Sequence, residues 1–207
     1  MAHNSELPID PNNVPTGELF TKAHATYLHA QALVKEGHAE SLDTLPATVH
    51  ADIEGARASL LVCADRGHAK ASFILAEMAE EGCGEERNDK KALELYERAA
   101  LQGDSDAQLA YADKLEEGEG LESPDYERAF IFYERAALNG LVEAQNSLGT
   151  CYHHGHGTDQ DFDRAFFWYE KAALAGDVDG AFHLAVAFEE GEGTSKVGSG
   201  GHRWSTR

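Results

Sequence analysis

Four glycine pairs recur along the chain at a nearly constant spacing, and this recurrence limits the folds that the chain can adopt. The pairs are Gly82-Cys-Gly84, Gly118-Glu-Gly120, Gly155-His-Gly157 and Gly191-Glu-Gly193. A single glycine precedes each pair with the same period of about 36 residues, at Gly67, Gly103, Gly140 and Gly176. Two series at one period indicate copies of a single supersecondary unit, which bury their apolar faces by stacking on one another.

The segments between the glycines have a helical apolar period. The first helix of each unit carries its stripe at i, i+4 and i+8, as Ala71, Leu75, Ala79; Ala107, Tyr111, Leu115; Ala144, Leu148, Tyr152; and, more weakly, Gly180, Leu184, Phe188. The middle stripe position is always followed by a small residue, namely Ala76, Ala112, Gly149 and Ala185, which lets a neighbouring helix approach closely.

The second helix of each unit reads KALELYERAA, RAFIFYERAA or RAFFWYEKAA. Its stripe in the third copy predicts that Ala165, Trp168, Tyr169, Ala172 and Ala173 are buried. Ser123-Pro124 predicts the start of the second helix in the middle copy, as a capping side chain followed by a first-turn proline.

This pattern resembles the Sel-1-like repeat, a relative of the tetratricopeptide repeat. The third copy, AQNSLGTCYHHGHGTDQDFDRAFFWYEKAALAG, carries the resemblance most fully. The resemblance implies an all-α fold, a right-handed α/α solenoid (superhelix) of antiparallel helix pairs. It also implies an adaptor or scaffold that binds a partner in a concave, helix-lined groove.

The chain is predicted to divide into four regions. They are a disordered segment at 1–15, a helical capping region with a degenerate repeat at 16–70, a repeat array at 71–193 and a flexible tail at 194–207. The array has units starting at 71, 107 and 144 and a half-unit at 180. Within the capping region, helices are predicted at Thr16–Glu36 and Ala51–Asp65.

No second helix follows the half-unit at 180. One side of its helix, with Leu184, Val186 or Phe188, is therefore expected to lie partly bare. Solenoids normally end in a polar cap, so this side could be covered by the tail with Trp204, by a second copy of the chain or by a natural chain that continues. The glycines of the tail disfavour the first of these, and weak self-association through this C-terminal end is expected.

The net charge of −20 narrows the classes of partner. A strongly negative surface repels nucleic acid and anionic lipid and attracts basic proteins. No apolar run is long enough to span a membrane, and the polar start does not read as a signal peptide. Three cysteines, Cys63, Cys83 and Cys151, do not suggest a disulfide framework, and a cytoplasmic location is expected.

Acidic residues cluster where the first helix of each unit ends. The predicted partner-binding residues are Glu77, Glu80, Glu81, Asp113, Glu116, Glu117, His153, His154, Glu189 and Glu190. Spacings of i, i+3 and i+4 place each trio on about one side of a helix, where it suits a basic peptide. The alternative is that these residues are the solvated ends of exposed helices.

No metal, cofactor or catalytic site is predicted. His153, His154 and His156 are close in sequence, but they project in different directions and show no fixed cysteine or carboxylate partner. Asp159, Asp161 and Asp163 lie at the start of a predicted helix, where the helix dipole favours carboxylates. We therefore interpret them as helix-start residues and not as calcium ligands. Nucleophile-elbow, phosphate-loop and zinc-protease motifs are missing.

Two main functions remain open at the level of sequence. The first is a scaffold that binds a protein or peptide with a basic surface. The second is an acidic inhibitor or immunity-type protein that caps a basic toxin or enzyme. A weaker third hypothesis is a metal-handling protein that uses the histidine cluster.

Overall fold

The computed structural model describes residues 14–37 and 44–193, and within these ranges it is helical, with no strand. The helices are α1 (Thr16–Lys35), α2 (Ala47–Asp65), α3 (Ala69–Glu81), α4 (Asp89–Leu101), α5 (Ser105–Glu117), α6 (Tyr126–Leu138), α7 (Val142–His154), α8 (Phe162–Leu174) and α9 (Val178–Glu190). The all-α repeat solenoid expected from the sequence is confirmed. The predicted segment 1–15, apart from its last two residues, and the predicted tail 194–207 lie outside the described residues.

The chain forms two compact units, Met1–Ala107 and Gln108–Arg207. In the first unit, α1 packs on α2, α2 on α3, and α3 on α4. The core of this unit includes Tyr27, Ile53, Leu60 and Met78, each almost fully buried. Helix α2 begins at Ala47, four residues before the predicted Ala51, because Pro46 already has a φ of −58° and leads directly into the helix.

In the second unit, α6 packs on α7, α7 on α8, and α8 on α9. Helices α5 and α6 meet through the rings of Tyr111 and Phe132, whose centroids are 4.8 Å apart in an edge-to-face arrangement. The small residue expected between close helices is confirmed at Gly149, where an added Cβ would lie 2.6 Å from the Tyr169 ring.

The residue immediately before each second helix links the two helices of its repeat through hydrogen bonds. The backbone N–H groups of Asn88, Asp125 and Asp161 donate to the carbonyls of Ala79, Leu115 and Tyr152, each at 2.8 Å. The side chains of the same three residues accept a hydrogen bond from the backbone three residues later and so cap α4, α6 and α8. This position therefore fixes both the start of the second helix and its distance from the first.

The predicted helix start at Ser123-Pro124 is wrong. Helix α6 begins at Tyr126, and Asp125 caps it through a hydrogen bond of 3.1 Å from the backbone N–H of Arg128. Pro124 instead packs against the left-handed turn at Gly118. The sequence signal was ambiguous because serine, proline and aspartate all favour helix starts. The backbone hydrogen bond from Asp125 to Leu115 of α5 selects Asp125 among them.

The predicted stripe of α8 is partly wrong. Ala165, Tyr169 and Ala172 are buried, but Trp168 and Ala173 are only half-buried, and Phe166 is buried instead. Phe166 meets the ring of Phe188 in α9 at 4.9 Å, edge to face. Phe166 is therefore buried by its contact with the next repeat, and the apolar stripe within α8 did not predict this.

The exposed side of α9 agrees with the expectation from the sequence. Phe182 is 65% exposed and Phe188 is 43% exposed, while Leu184 and Val186 are half-buried. Across the described ranges, no helix has the length and apolar character needed to cross a membrane.

The glycines allow a test of the repeat junction in the second unit. Gly140 and Gly157 both have positive φ, but a Cβ on Gly140 meets open space, whereas a Cβ on Gly157 would clash with the backbone carbonyl of Tyr126. We expect Gly140→Ala to cost about 1 kcal/mol of unfolding free energy, from backbone strain alone. We expect Gly157→Ala to cost about 3 kcal/mol or more, because neighbouring repeats must also separate. Urea unfolding followed by circular dichroism measures both, and equal costs would contradict the close junction.

Candidate functional site

The carboxylates at the end of α3 form the first acidic cluster, made of Glu77, Glu80 and Glu81. The hydroxyl of Tyr27 in α1 donates to Glu81 Oε2 at 2.8 Å. The hydroxyl of Tyr96 in α4 donates to Glu80 Oε2 at 2.9 Å. Two buried tyrosines from the flanking helices therefore fix this cluster, which is more ordered than a freely solvated helix end.

Glu77 shows the electrostatic cost of the first acidic cluster. The pKa of its carboxyl is raised to about 7, first by burial and then by the negative charges of Glu81, Glu80 and Asp106, while Lys70 acts in the opposite direction. Burial and the adjacent carboxylates also raise the pKa of Tyr27. Burial and the neighbouring carboxylates therefore make ionisation of Glu77 costly.

The end of α5 carries the second acidic cluster, made of Asp113, Glu116 and Glu117. The hydroxyl of Tyr133 in α6 lies 2.8 Å from both Asp113 Oδ1 and Glu116 Oε2. One hydroxyl proton serves only one of these oxygens at a time. Burial raises the pKa of Asp113 to about 6, against the hydrogen bond from Tyr133. Glu117 is exposed.

Two histidines of the third repeat pair with carboxylates of neighbouring repeats. His156 Nδ1 lies 3.1 Å from Glu116 Oε1, and His153 Nε2 lies 2.9 Å from Glu192 Oε2. Glu116 and His153 occupy the same position of successive repeats, as do His156 and Glu192, so the two junctions exchange the roles of histidine and glutamate. The expectation that these histidines have no fixed carboxylate partner is wrong.

The sequence did contain a signal for these pairs. Each partner is 39 or 40 residues away, which is one repeat plus the few residues between a helix end and its G-x-G turn. In a solenoid the spatial neighbours of a residue lie one period away in the sequence, so partners for His153 and His156 are found there and not among adjacent residues.

The remaining predicted residues lie around the last turns of α7 and α9. His154 is exposed, and its ring centroid is 4.5 Å from that of His153. Burial, followed by the charges of His153 and His156, lowers the pKa of His154. Glu189 and Glu190 are exposed. A small cleft is lined by His153, His154, His183 and Tyr169, among others, and not by Glu189 or Glu190.

Two simpler interpretations from the sequence agree with the structure. Asp161 caps α8, as expected of a carboxylate at a helix start. The three cysteines are buried and form no disulfide, as expected from the sequence, and burial raises the pKa of Cys151 to about 12.

The repeats match a known family model along most of the array. The Sel1 repeat model matches residues 69–104, 105–141, 142–177 and 178–207, about two thirds of the chain. The chain belongs to the Sel1 repeat family. Each Sel1 repeat starts two residues before the unit predicted from the apolar stripe, because the first turn of each first helix precedes its first buried residue.

Solved Sel1 repeat structures are similar to this chain. A Sel1 repeat protein from Oxalobacter formigenes is 27% identical, with a TM-score of 0.68, over 87% of this chain and 69% of that one. A protective antigen of uropathogenic Escherichia coli with an SLR fold is 28% identical, with a TM-score of 0.67, over 83% of this chain. This chain spans only 34% of that antigen.

Other comparisons carry no functional weight. An immunity protein from Pseudomonas aeruginosa is 24% identical over 81% of this chain and 57% of that one, with a TM-score of 0.47. A search of curated proteins returned no match.

The raised pKa of Glu77 predicts how stability depends on pH. The pKa of Glu77 is about 7 in the folded chain, whereas the ordinary pKa of this carboxyl is 4.5. The folded chain therefore binds the proton more tightly than the unfolded chain. The stability that this provides is complete below pH 4.5 and is lost as the pH rises through 7. We expect Glu77→Gln to raise the unfolding free energy at pH 8 by on the order of 1 kcal/mol, and by much less at pH 5.

Urea unfolding at the two pH values measures this effect. Glu94→Gln, on the exposed side of α4, removes the same charge and serves as the control. Equal effects of the two substitutions would show that general charge repulsion, and not the first acidic cluster, is responsible.

Proposed function

We propose that this Sel1 repeat protein binds another protein without catalysing a reaction, and that its acidic clusters receive basic side chains of that partner. The observation that carries the proposal is the fixed crowding of Glu77, Glu80 and Glu81 at the end of α3. Strongly perturbed carboxylates mark candidate functional sites, because their arrangement costs stability in the unbound protein.

A basic side chain would relieve this cost. Glu77 is half-buried among like charges, and Lys70, the one cation among the causes of its pKa shift, forms its ion pair with Asp106 at 2.6 Å. An arginine or lysine supplied by a partner would lower the free energy of the ionised cluster. The same residues that destabilise the free protein would therefore stabilise the complex.

The tyrosine anchors favour binding for a second reason. Tyr27, Tyr96 and Tyr133 are buried and hold their carboxylate acceptors in place before any partner arrives. Less side-chain entropy is then lost on association than with freely rotating glutamates. The Sel1 repeat family, whose helical repeats serve as protein-interaction scaffolds, agrees with this role.

The compartment and the kind of partner belong to the same proposal. We place the protein in the cytoplasm, because its three cysteines are buried and form no disulfide, as is usual in a reducing compartment. An extended basic segment as partner would make the protein an adaptor. A folded basic toxin or enzyme would make it an inhibitor, and identification of the partner separates the two.

Charge neutralisation of the first acidic cluster tests the proposal. We expect the triple variant Glu77→Gln, Glu80→Gln, Glu81→Gln to weaken binding of a captured partner by about tenfold or more, through loss of charge-assisted contacts. Affinity of the parent should also fall as salt rises, since exposed charges are screened over about 10 Å at 0.1 M. Affinity capture with mass spectrometry identifies the partner, and titration of that purified partner measures the affinity.

The matched control removes three charges elsewhere in the same unit. Asp52→Asn, Glu54→Gln and Glu94→Gln all lie on exposed positions of α2 and α4. This variant should bind within about twofold of the parent. An equal loss in both triple variants, or salt-independent binding, would rule out the first acidic cluster as the binding surface.

Self-association through α9 is a separate expectation. Phe182 is 65% exposed, and exposed apolar side chains of this size favour interfaces. We expect weak, concentration-dependent association that Phe182→Glu abolishes. Phe167→Glu, which changes a 53% exposed phenylalanine of α8, should leave it intact. Light scattering across a concentration series measures the effect, and a parent that stays monomeric would contradict it.

A further inference from the structure

The junction between the third and fourth Sel1 repeats brings together one imidazole and two carboxylates. His153 comes from the last turn of α7, Glu190 ends α9, and Glu192 lies in the following G-x-G turn. One potential ligand atom from each of the three lies within 4.8 Å of the others. The repeat stack, and not local sequence, assembles this group.

The donor set has a definite metal preference. One imidazole nitrogen and two carboxylate oxygens suit Zn²⁺ and neighbouring first-row divalent ions, whereas Ca²⁺ and Mg²⁺ favour sites made of oxygen alone. Zn²⁺ holds nitrogen and oxygen ligands at about 2.0–2.2 Å, which places the ligand atoms of a tetrahedral site about 3.3 Å apart. His153 Nε2 and Glu192 Oε2 are already 2.9 Å apart.

The charges around this group distinguish it from an acidic helix end that has its own counter-ion. Among the described residues, no lysine or arginine forms an ion pair with Glu190 or Glu192, and the ring nitrogen that faces Glu192 is His153 Nε2. A divalent cation would therefore supply positive charge between two neighbouring carboxylates.

The ends of α7 and α9 already meet through polar contacts. His153 Nε2 lies 2.9 Å from Glu192 Oε2, and His183 Nδ1 of α9 lies 2.8 Å from Asn146 Oδ1 of α7. A metal ion held by His153, Glu190 and Glu192 would add a stronger link between the same two helices.

We propose that His153, Glu190 and Glu192 bind a divalent first-row transition metal ion of the Zn²⁺ class, which joins the last two Sel1 repeats of the chain. The site is independent of the acidic cluster on α3 and of the protein partner. Its three protein ligands leave at least one coordination position for water or a further ligand.

Zn²⁺ titration of the full chain at pH 7.5 by isothermal calorimetry tests the site. His153→Gln and Glu190→Gln should each weaken binding by about tenfold or more. Glu190 is exposed, so Glu190→Gln keeps the test valid even if His153→Gln disturbs the fold. Zn²⁺ should also slow amide hydrogen exchange in the last turn of α9 in the parent and in neither variant. Mg²⁺ should not compete.

The His156–Glu116 pair offers a matched control, because it has the same chemistry at the preceding junction without a third ligand. His156→Gln should bind Zn²⁺ within about twofold of the parent. The proposal is overturned if the parent shows no saturable binding, if His156→Gln loses affinity as His153→Gln does, or if both site variants bind Zn²⁺ as the parent does.

Discussion

The close approach of each G-x-G turn to the preceding repeat sets the arrangement within the second unit. The backbone of Gly157 lies directly on the carbonyl of Tyr126, and that of Gly193 lies in the same way on the carbonyl of Phe162. Neither position has space for a Cβ. Because the contact is made by backbone on backbone, it fixes the register of successive repeats more tightly than side-chain packing, which can adjust. The pairs His156–Glu116 and His153–Glu192 exist only because this register is held.

Polar contacts within the repeats hold carboxylates close together at the ends of helices, where their charge costs stability. In the first unit, Tyr27 and Tyr96 hold Glu81 and Glu80 at the end of α3, and burial together with the charges of these carboxylates raises the pKa of Glu77. A fold selected for stability alone would separate these charges. Retaining them is understandable if the strain is released when a basic group binds.

The equivalent helix ends do not all use the same chemistry. In the third repeat, the hydroxyl of Tyr169 donates a hydrogen bond to Thr150 Oγ1, where the equivalent tyrosines donate to a carboxylate. Histidines also replace the acidic residues at the end of α7. The local negative charge is thereby reduced, and ligands suited to a transition metal are introduced. One scaffold therefore carries two kinds of surface, a purely acidic one at α3 and a mixed histidine-carboxylate one at α7 and α9.

The sequence by itself determined the helical repeats, the buried stripes of α3, α5 and α7 and the glycine-ended turns, because these follow from local periodicity and from backbone conformation. It also located the acidic helix ends. Three things needed the tertiary structure: the cap at Asp125, the burial of Phe166 and the carboxylate partners of His153 and His156. Each depends on a contact with another helix or another repeat. A single helix determines its own period, but only the stack of repeats brings residues one period apart into contact.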